Sequence, residues 1–138
     1  MGEVVVEVLL ENAFDRHLVR TGVLRPEGVR QLLVEALVDT GATALILPEA
    51  VVQTLGLDLT GSTEVEFADG RVTERPIAES VYLSLEGRAR GHYCFVGARG
   101  ARPLLGQIVL ESLDLLVDCK NQRLISRTDS AGMTRYRS

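Results

Sequence analysis

Short apolar runs, broken by turn-forming residues, are the feature that most limits how this 138-residue chain can fold. Runs rich in β-branched and aliphatic residues that end at Gly, Pro, Asn or Asp are typical of β-strands. We predict strands over residues 3–10, 29–38, 44–47, 91–97, 114–118 and 123–127, and a hairpin over 62–74 whose second strand continues to residue 87. The hairpin prediction depends on Asp69-Gly70, because Gly tolerates the positive φ of a tight turn. The pattern therefore predicts a mostly β fold.

Two units of the sequence read as a strand, then a turn, then a short helix. In the first, Pro48 suits a helix start and Gly56 suits a helix stop, with Val51, Val52 and Leu55 on one face. The second, residues 104–113, has the same order in the letters LLGQIVLESL. We therefore predict one or two short helices, added to a structure made mainly of strands.

Composition limits the class of protein. Apolar residues make up 46% and charged residues 25%, which is ordinary for a globular domain, and the net charge is −4. No apolar run approaches the ~18 residues of a membrane span, and the N-terminus lacks a secretory signal pattern. We expect one domain over residues 1–127, a polar and flexible tail over 128–138, and a cytoplasmic protein. Cys94 and Cys119 form no CxxC motif, so we expect reduced, buried thiols.

The stretch LVDTGAT, residues 37–43, places a lone carboxylate at the end of an apolar run. Gly41 has no Cβ, so its backbone N–H can approach and bond the Asp39 carboxylate. The Thr40 hydroxyl can anchor the same loop by a hydrogen bond. Two interpretations follow from these residues alone: Asp39 is an Asx-type turn residue, or it is an acid positioned for chemistry.

The wider context resembles a known family. The stretches LVDTGATALI, VEFADGRV and PLLGQIVLESLDLLVD, in this order, resemble retropepsin-like aspartic proteases, the single-domain class of retroviral proteases and their bacterial relatives. The similarity covers about residues 29–126. It implies a closed β-barrel of the acid-protease type that works as a homodimer, because the chain has a single Asp-Thr-Gly and a second acid must come from another copy.

The resemblance also implies roles for individual residues. Asp39 of each subunit would be catalytic and hold the attacking water, within an active-site loop that continues through Thr40, Gly41 and Ala42. The second stretch would be a flap over the substrate, formed by Phe67, Ala68, Asp69, Gly70 and Arg71. The third would contain a second ψ-loop, formed by Leu104, Leu105 and Gly106. The implied partner is a peptide or protein substrate, and the implied chemistry uses no cofactor and no metal.

Departures from the family pattern keep alternatives open. Retroviral enzymes pair an acid with an Arg where this chain has Thr43 and Gln107, so a neutral hydrogen bond is the most these two can form. A peptide-binding or protein-binding module of the same fold, without catalysis, is therefore the second hypothesis. A third is an RNA-binding barrel that uses the basic residues near 91–97, which are Arg88, Arg90, Arg99 and Arg102. The net acidic charge argues against it, so we expect neither a nucleic-acid nor a membrane partner.

Other chemistry-bearing residues have simpler interpretations. Asp118 precedes the turn residues Lys120 and Asn121, so we predict a structural turn acid rather than a second catalytic acid. His17 and His92 share no metal-ligand spacing with each other or with the cysteines.

Overall fold

The computed structural model describes residues 3–66 and 69–127 of the chain. The elements in these residues are β1 (Val4–Asn12), α1 (Ala13–Arg20), a 3₁₀ turn (Pro26–Gly28), β2 (Gln31–Val38), β3 (Ile46–Pro48), α2 (Glu49–Leu55), β4 (Asp58–Glu66), β5 (Val72–Leu85), β6 (Arg88–Gly97), β7 (Leu104–Leu105), α3 (Gln107–Ser112), β8 (Leu115–Asp118) and β9 (Arg123–Ser126). The predicted tail, 128–138, lies outside the described residues.

Six of the strands close into a barrel. They are hydrogen-bonded in the order β1, β2, β7, β3, β6, β5, and β5 pairs again with β1. β4 pairs with β5 at the outside of this barrel, while β8 and β9 form a separate two-stranded ribbon. The prediction of a mostly β, closed-barrel fold is therefore confirmed.

The interior of the barrel is aliphatic. The largest fully buried side chains are Leu10, Leu45, Leu47, Leu55, Leu83, Leu105, Leu110, Val8, Val81, Val109 and Cys94. Helix α2 contributes Val51, Val52 and Leu55 to this core, the face that its spacing predicts. With aromatics at 4% of the chain, burial of Leu and Val surface is the main stabilising contribution to the fold.

The helices differ from the prediction in number. Three α-helices occur in the described residues, where the sequence led us to expect one or two, and the additional one is α1. Its cap explains why it forms: the Asn12 side chain accepts a hydrogen bond from the Asp15 backbone N–H at 2.9 Å. Asn is among the best residues at this position, but a single Asn within a polar stretch is a weak signal in a sequence.

Two further expectations need correction. Pro48 is the N-cap residue of α2 rather than its first helical residue, although Gly56 does end the helix at φ 63° as predicted. Both cysteines are free, but only Cys94 is buried, because Cys119 lies exposed in the turn between β8 and β9. Burial raises the pKa of the Cys94 thiol to about 12.

Across residues 3–66 and 69–127, no helix is long and apolar enough to cross a membrane.

Candidate active site

The backbone of Asp39 is held by the barrel itself. β2 runs parallel to β7, with Leu37 beside Leu104 and Val38 beside Leu105. The Asp39 N–H then donates to the Leu105 carbonyl at 3.0 Å. The acid therefore leaves the sheet at a defined point, one residue beyond a strand that is paired on both edges.

The Asp39 side chain takes part in a tight turn. Its Oδ1 accepts the Gly41 N–H at 2.9 Å, and its carbonyl accepts the Ala42 N–H at 3.1 Å. The bond from the Gly41 N–H to the Asp39 carboxylate is the one predicted from the sequence. Asp39 is half-buried, Thr40 and Gly41 are exposed, and Ala42 is buried. The turn therefore orients the carboxylate and leaves one side of the loop open.

The second loop, at Leu104, Leu105 and Gly106, packs directly against the first. The N–H groups of Gln107 and Ile108, the first residues of α3, donate at 2.9 Å to the carbonyls of Ala42 and Thr43. A Cβ on Gly106 would lie 2.6 Å from the Ala44 nitrogen and from the Thr43 carbonyl carbon. Only glycine permits this approach, so the structure brings the two predicted loops together through their backbones.

A cleft of about 370 Å³ opens beside the Asp39 loop. Its lining consists of Gly41, Ala42, Thr43 and Ala44 from the loop, Ile46 from β3, Glu64, Val65 and Glu66 from β4, and Tyr93 and Phe95 from β6. Asp39 is not among these residues, but its hydrogen-bond donor Gly41 is. A mostly concave site with apolar walls and a few polar groups is the usual form of a binding pocket.

The sequence did not single out the aromatic residues that line this cleft. Tyr93 and Phe95 form an edge-to-face pair with centroids 5.6 Å apart, and Cys94 between them is buried on the opposite face. The alternation of residues in β6 was a signal for one shared face. It could not show that this face meets Ile46, because β3 and β6 lie far apart in the sequence.

The β4–β5 hairpin reaches the cleft through β4. Of the five predicted flap residues, Phe67 and Ala68 lie outside the described part of the chain. The predicted turn is present beyond them: Gly70 has φ 86°, and the Arg71 N–H donates to Asp69 Oδ1 at 2.9 Å. Pairing resumes where Glu66 faces Val72, so Asp69, Gly70 and Arg71 form the far end of the hairpin.

The structure does not join the side chains of Thr43 and Gln107. The Gln107 side-chain amide donates to Glu111 at 3.1 Å, within α3. Each instead bonds the other loop through its backbone, since the Gln107 N–H donates to the Ala42 carbonyl and the Thr43 carbonyl accepts the Ile108 N–H. Backbone hydrogen bonds therefore join the two loops at the positions where the retroviral pattern has a charged pair.

Asp118 is a structural turn acid, as predicted. Its Oδ2 accepts the Asn121 side-chain amide at 2.8 Å, and Arg123 Nε lies 3.5 Å from the same oxygen. The hydrogen bond from Asn121, more than the contact with Arg123, holds the pKa of the Asp118 carboxyl below its usual value. These bonds close the β8–β9 turn.

Two of the four arginines near β6, Arg88 and Arg102, have partners elsewhere in the structure. Arg88 donates to the carbonyls of Leu113 and Asp114 at 2.6 and 2.9 Å, and Arg102 contacts Glu3 at 3.2 Å. This weakens the interpretation of the group as a nucleic-acid surface.

Within the described ranges, no three His, Cys, Asp or Glu side chains come together as a metal site.

Comparison with known families agrees with this geometry. Residues 29–112 match the family described as "gag-polyprotein putative aspartyl protease", a span that includes the Asp39 loop, the hairpin, the cleft walls and α3. No curated protein matches the chain. Because the match covers more than half of the sequence, the chain belongs to this family of retropepsin-like aspartic proteases.

Proposed function

We propose that this protein is an aspartic endopeptidase that hydrolyses peptide bonds as a homodimer. The observation that carries the proposal is the Asp39 carboxylate, held by the Gly41 N–H at 2.9 Å beside a cleft of about 370 Å³. Family membership supplies the class of reaction. The roles of Asp39, Thr40, Gly41 and Ala42 are inferred from their positions in this loop.

The reaction needs two carboxylates with different protonation states. Two like charges held close together cannot both ionise readily, so two Asp39 side chains facing each other would share one proton. The ionised carboxylate would take a proton from a water molecule while the oxygen of that water attacks the peptide carbonyl carbon. The protonated carboxyl would hand its proton to the leaving amide nitrogen as the C–N bond breaks.

A twofold axis would supply the second carboxylate. An isologous interface places each residue opposite its own copy, so one acid per chain is sufficient. The exposed Thr40 and Gly41 leave the Asp39 loop accessible to a second subunit. Ile108 in α3 is 41% exposed and follows Gln107 directly, which adds apolar surface beside the loop for burial in a dimer.

The cleft suits an extended peptide. It has apolar surface from Ile46, Tyr93 and Phe95, and residues 64–66 of β4 border it as well. An extended segment that adds to an exposed strand gains main-chain hydrogen bonds, while its alternate side chains enter pockets. We assign the cleft to substrate residues next to the scissile bond.

The test is cleavage of a diverse peptide library between pH 4 and 7. We expect the wild type to cut and Asp39→Asn to lose at least about 10³-fold in rate, since the variant lacks the base and the acid together. Asp118→Asn is the matched control and should keep its activity. A folded wild type that cuts nothing, or an Asp39→Asn variant as active as the wild type, would overturn the proposal.

The dimer requires a separate measurement. Activity per chain should rise with protein concentration in parallel with the dimer fraction seen by sedimentation. A strict monomer at the highest concentration assayed, with activity linear in protein, would contradict the shared dyad.

One observation favours the second candidate, a binding module without catalysis. The Gln107 side chain bonds Glu111 within α3, and among the described residues no ion pair joins the Asp39 loop to residues 104–108. A weak dimer would leave a single Asp39 beside an occupied cleft. Peptide binding by a folded wild type that never cleaves would establish this alternative.

A further inference from the structure

β4 has a free edge that leads into the cleft. It pairs with β5 along one side, and no other strand in the described part of the chain pairs with it. Its last three residues, 64–66, line the cleft. Unpaired N–H and C=O groups on such an edge can accept a further strand.

The two faces of this edge differ in character. Val65 pairs with Thr73, and Thr63 pairs with Arg75, whose Nε donates to the Val96 carbonyl of β6 at 2.9 Å. This face is therefore turned towards the barrel. Because successive side chains of a strand point to opposite faces, Glu64 and Glu66 are on the outward face, where both are exposed.

The outward face carries unneutralised negative charge. Glu64 lies directly opposite Glu74, and like charges in this position repel each other. Glu74 accepts a hydrogen bond from Ser62 at 3.2 Å, whereas neither Glu64 nor Glu66 has a hydrogen bond or an ion pair with another described residue. Among the described residues, the lining of the cleft contains these two carboxylates and no Lys or Arg.

We propose that the cleft selects peptides with Lys or Arg at two positions separated by one apolar residue. Such a segment, added to the β4 edge, would place its two cations beside Glu64 and Glu66. The apolar residue between them would point to the other face, towards Val65, Ile46 and Phe95. This substrate class rests on the proposed peptidase function, and it makes Glu64 and Glu66 the residues that determine specificity.

The experiment compares three ten-residue peptides that differ only in a central Lys-Leu-Lys, Gln-Leu-Gln or Glu-Leu-Glu. Binding is measured by fluorescence anisotropy on the Asp39→Asn protein, and cleavage is measured on the wild type. At 50 mM salt we expect the Lys peptide to bind about 5-fold to 10-fold more tightly than the Gln peptide, and the Glu peptide to bind least. The preference should shrink at 500 mM salt, because exposed charges are screened.

Substitutions test whether Glu64 and Glu66 cause the preference for Lys. Glu64→Gln with Glu66→Gln should abolish the preference for Lys in both binding and cleavage. Glu79→Gln is the matched control, because Glu79 is exposed on the same hairpin, bonded to Thr60 at 2.9 Å, and is not part of the cleft. It should keep the full preference, and circular dichroism should show both variants folded.

The possible outcomes separate the two proposals. Charge-dependent binding without cleavage supports the selectivity and overturns the peptidase. Cleavage that ignores peptide charge supports the peptidase and overturns the selectivity. Neither binding nor cleavage by the folded protein overturns both, and equal loss of preference in Glu79→Gln overturns the assignment to Glu64 and Glu66.

Discussion

Two aspartates of this molecule, Asp15 and Asp39, are held in very different ways. Asp15 lies in α1 with a side chain only 6% exposed, and its oxygens accept three hydrogen bonds from Arg30: the backbone N–H at 3.0 Å, and Nε and one Nη at 2.9 Å. Asp39 is half-buried, and its side chain accepts the Gly41 N–H. An ionised carboxylate has about four acceptor positions, so Asp39 keeps capacity that Asp15 has already used.

The surroundings of Asp15 show what its bonds achieve. Asn12 accepts the Asp15 N–H and also donates to the Leu55 carbonyl at 2.8 Å, which joins the start of α1 to the end of α2. Arg30 lies so close to Gly56 that a Cβ there would overlap its guanidinium. Asp15 is therefore part of a structural junction, whereas Asp39 is placed by its backbone and keeps acceptor capacity on its carboxylate.

The largest expected effect tests this contrast with one substitution at two positions. Asp15→Asn should lower the free energy of unfolding by about 2 to 3 kcal/mol, because at this buried position the new amide NH2 faces an Arg30 donor and the charge-assisted hydrogen bonds are lost. Asp39→Asn should change it by less than about 0.5 kcal/mol. Chemical denaturation of both variants measures the difference, and equal destabilisation would break the comparison.

The contact between Asp15 and Arg30 should also make stability depend on pH. The hydrogen bond from the Arg30 side chain, more than the Coulomb attraction between the two charges, holds the pKa of Asp15 below its ordinary value of 3.8. A lowered folded-state pKa gives stability that is present above pH 3.8 and is lost as the pH falls through the folded value. Wild-type stability should therefore decline more steeply below pH 3.8 than that of Asp15→Asn, and parallel curves would contradict this.

A second, smaller effect concerns how Asp39 is placed. Gly106→Ala should cost about 2 kcal/mol and lower cleavage, because the new methyl group meets the backbone of Thr43 and Ala44. Gly91→Ala in β6 is the matched control, since the nearest atom to its Cβ would be the Val81 oxygen at 4.0 Å. Thermal unfolding and a peptide assay distinguish them. If both variants behave alike, backbone packing does not position the acid.

The smallest expected effect is on the pH dependence of stability, and it comes from His92, a half-buried polar group. Its Nε2 lies 3.2 Å from the Ser112 hydroxyl at the end of α3, the helix whose start bonds the Asp39 loop. Burial, followed by the charge of Arg90, lowers the pKa of His92. Protonation then favours the unfolded chain, so stability should be full above pH 6.5 and fall below it.

His92→Gln should remove this dependence. We expect the wild type to lose on the order of 2 °C in Tm between pH 7 and pH 5 relative to the variant. Calorimetry at these two values is sufficient. Equal shifts in the two proteins would show that the contact between His92 and Ser112 does not respond to protonation.

Much of the local structure was predictable from neighbouring residues. The Asp69-Gly70 turn, the helix stop at Gly56 and the Gly41 bond to Asp39 each depend on residues within a few positions of one another. Helix α1 was missed because its cap, a single Asn12, is a weak signal, and because its stability comes from contacts with Arg30 and Leu55 that lie far along the chain.

The sequence by itself determined the strand pattern, the turns and the acid of the candidate site, because these follow from side-chain periodicity and local backbone chemistry. Only the tertiary structure decided the rest. β1 lies between β2 and β5, Gly106 packs on Ala44, and the walls of the cleft come from β3, β4 and β6. Each of these contacts joins segments distant in the chain, and their geometry depends on how the whole barrel closes.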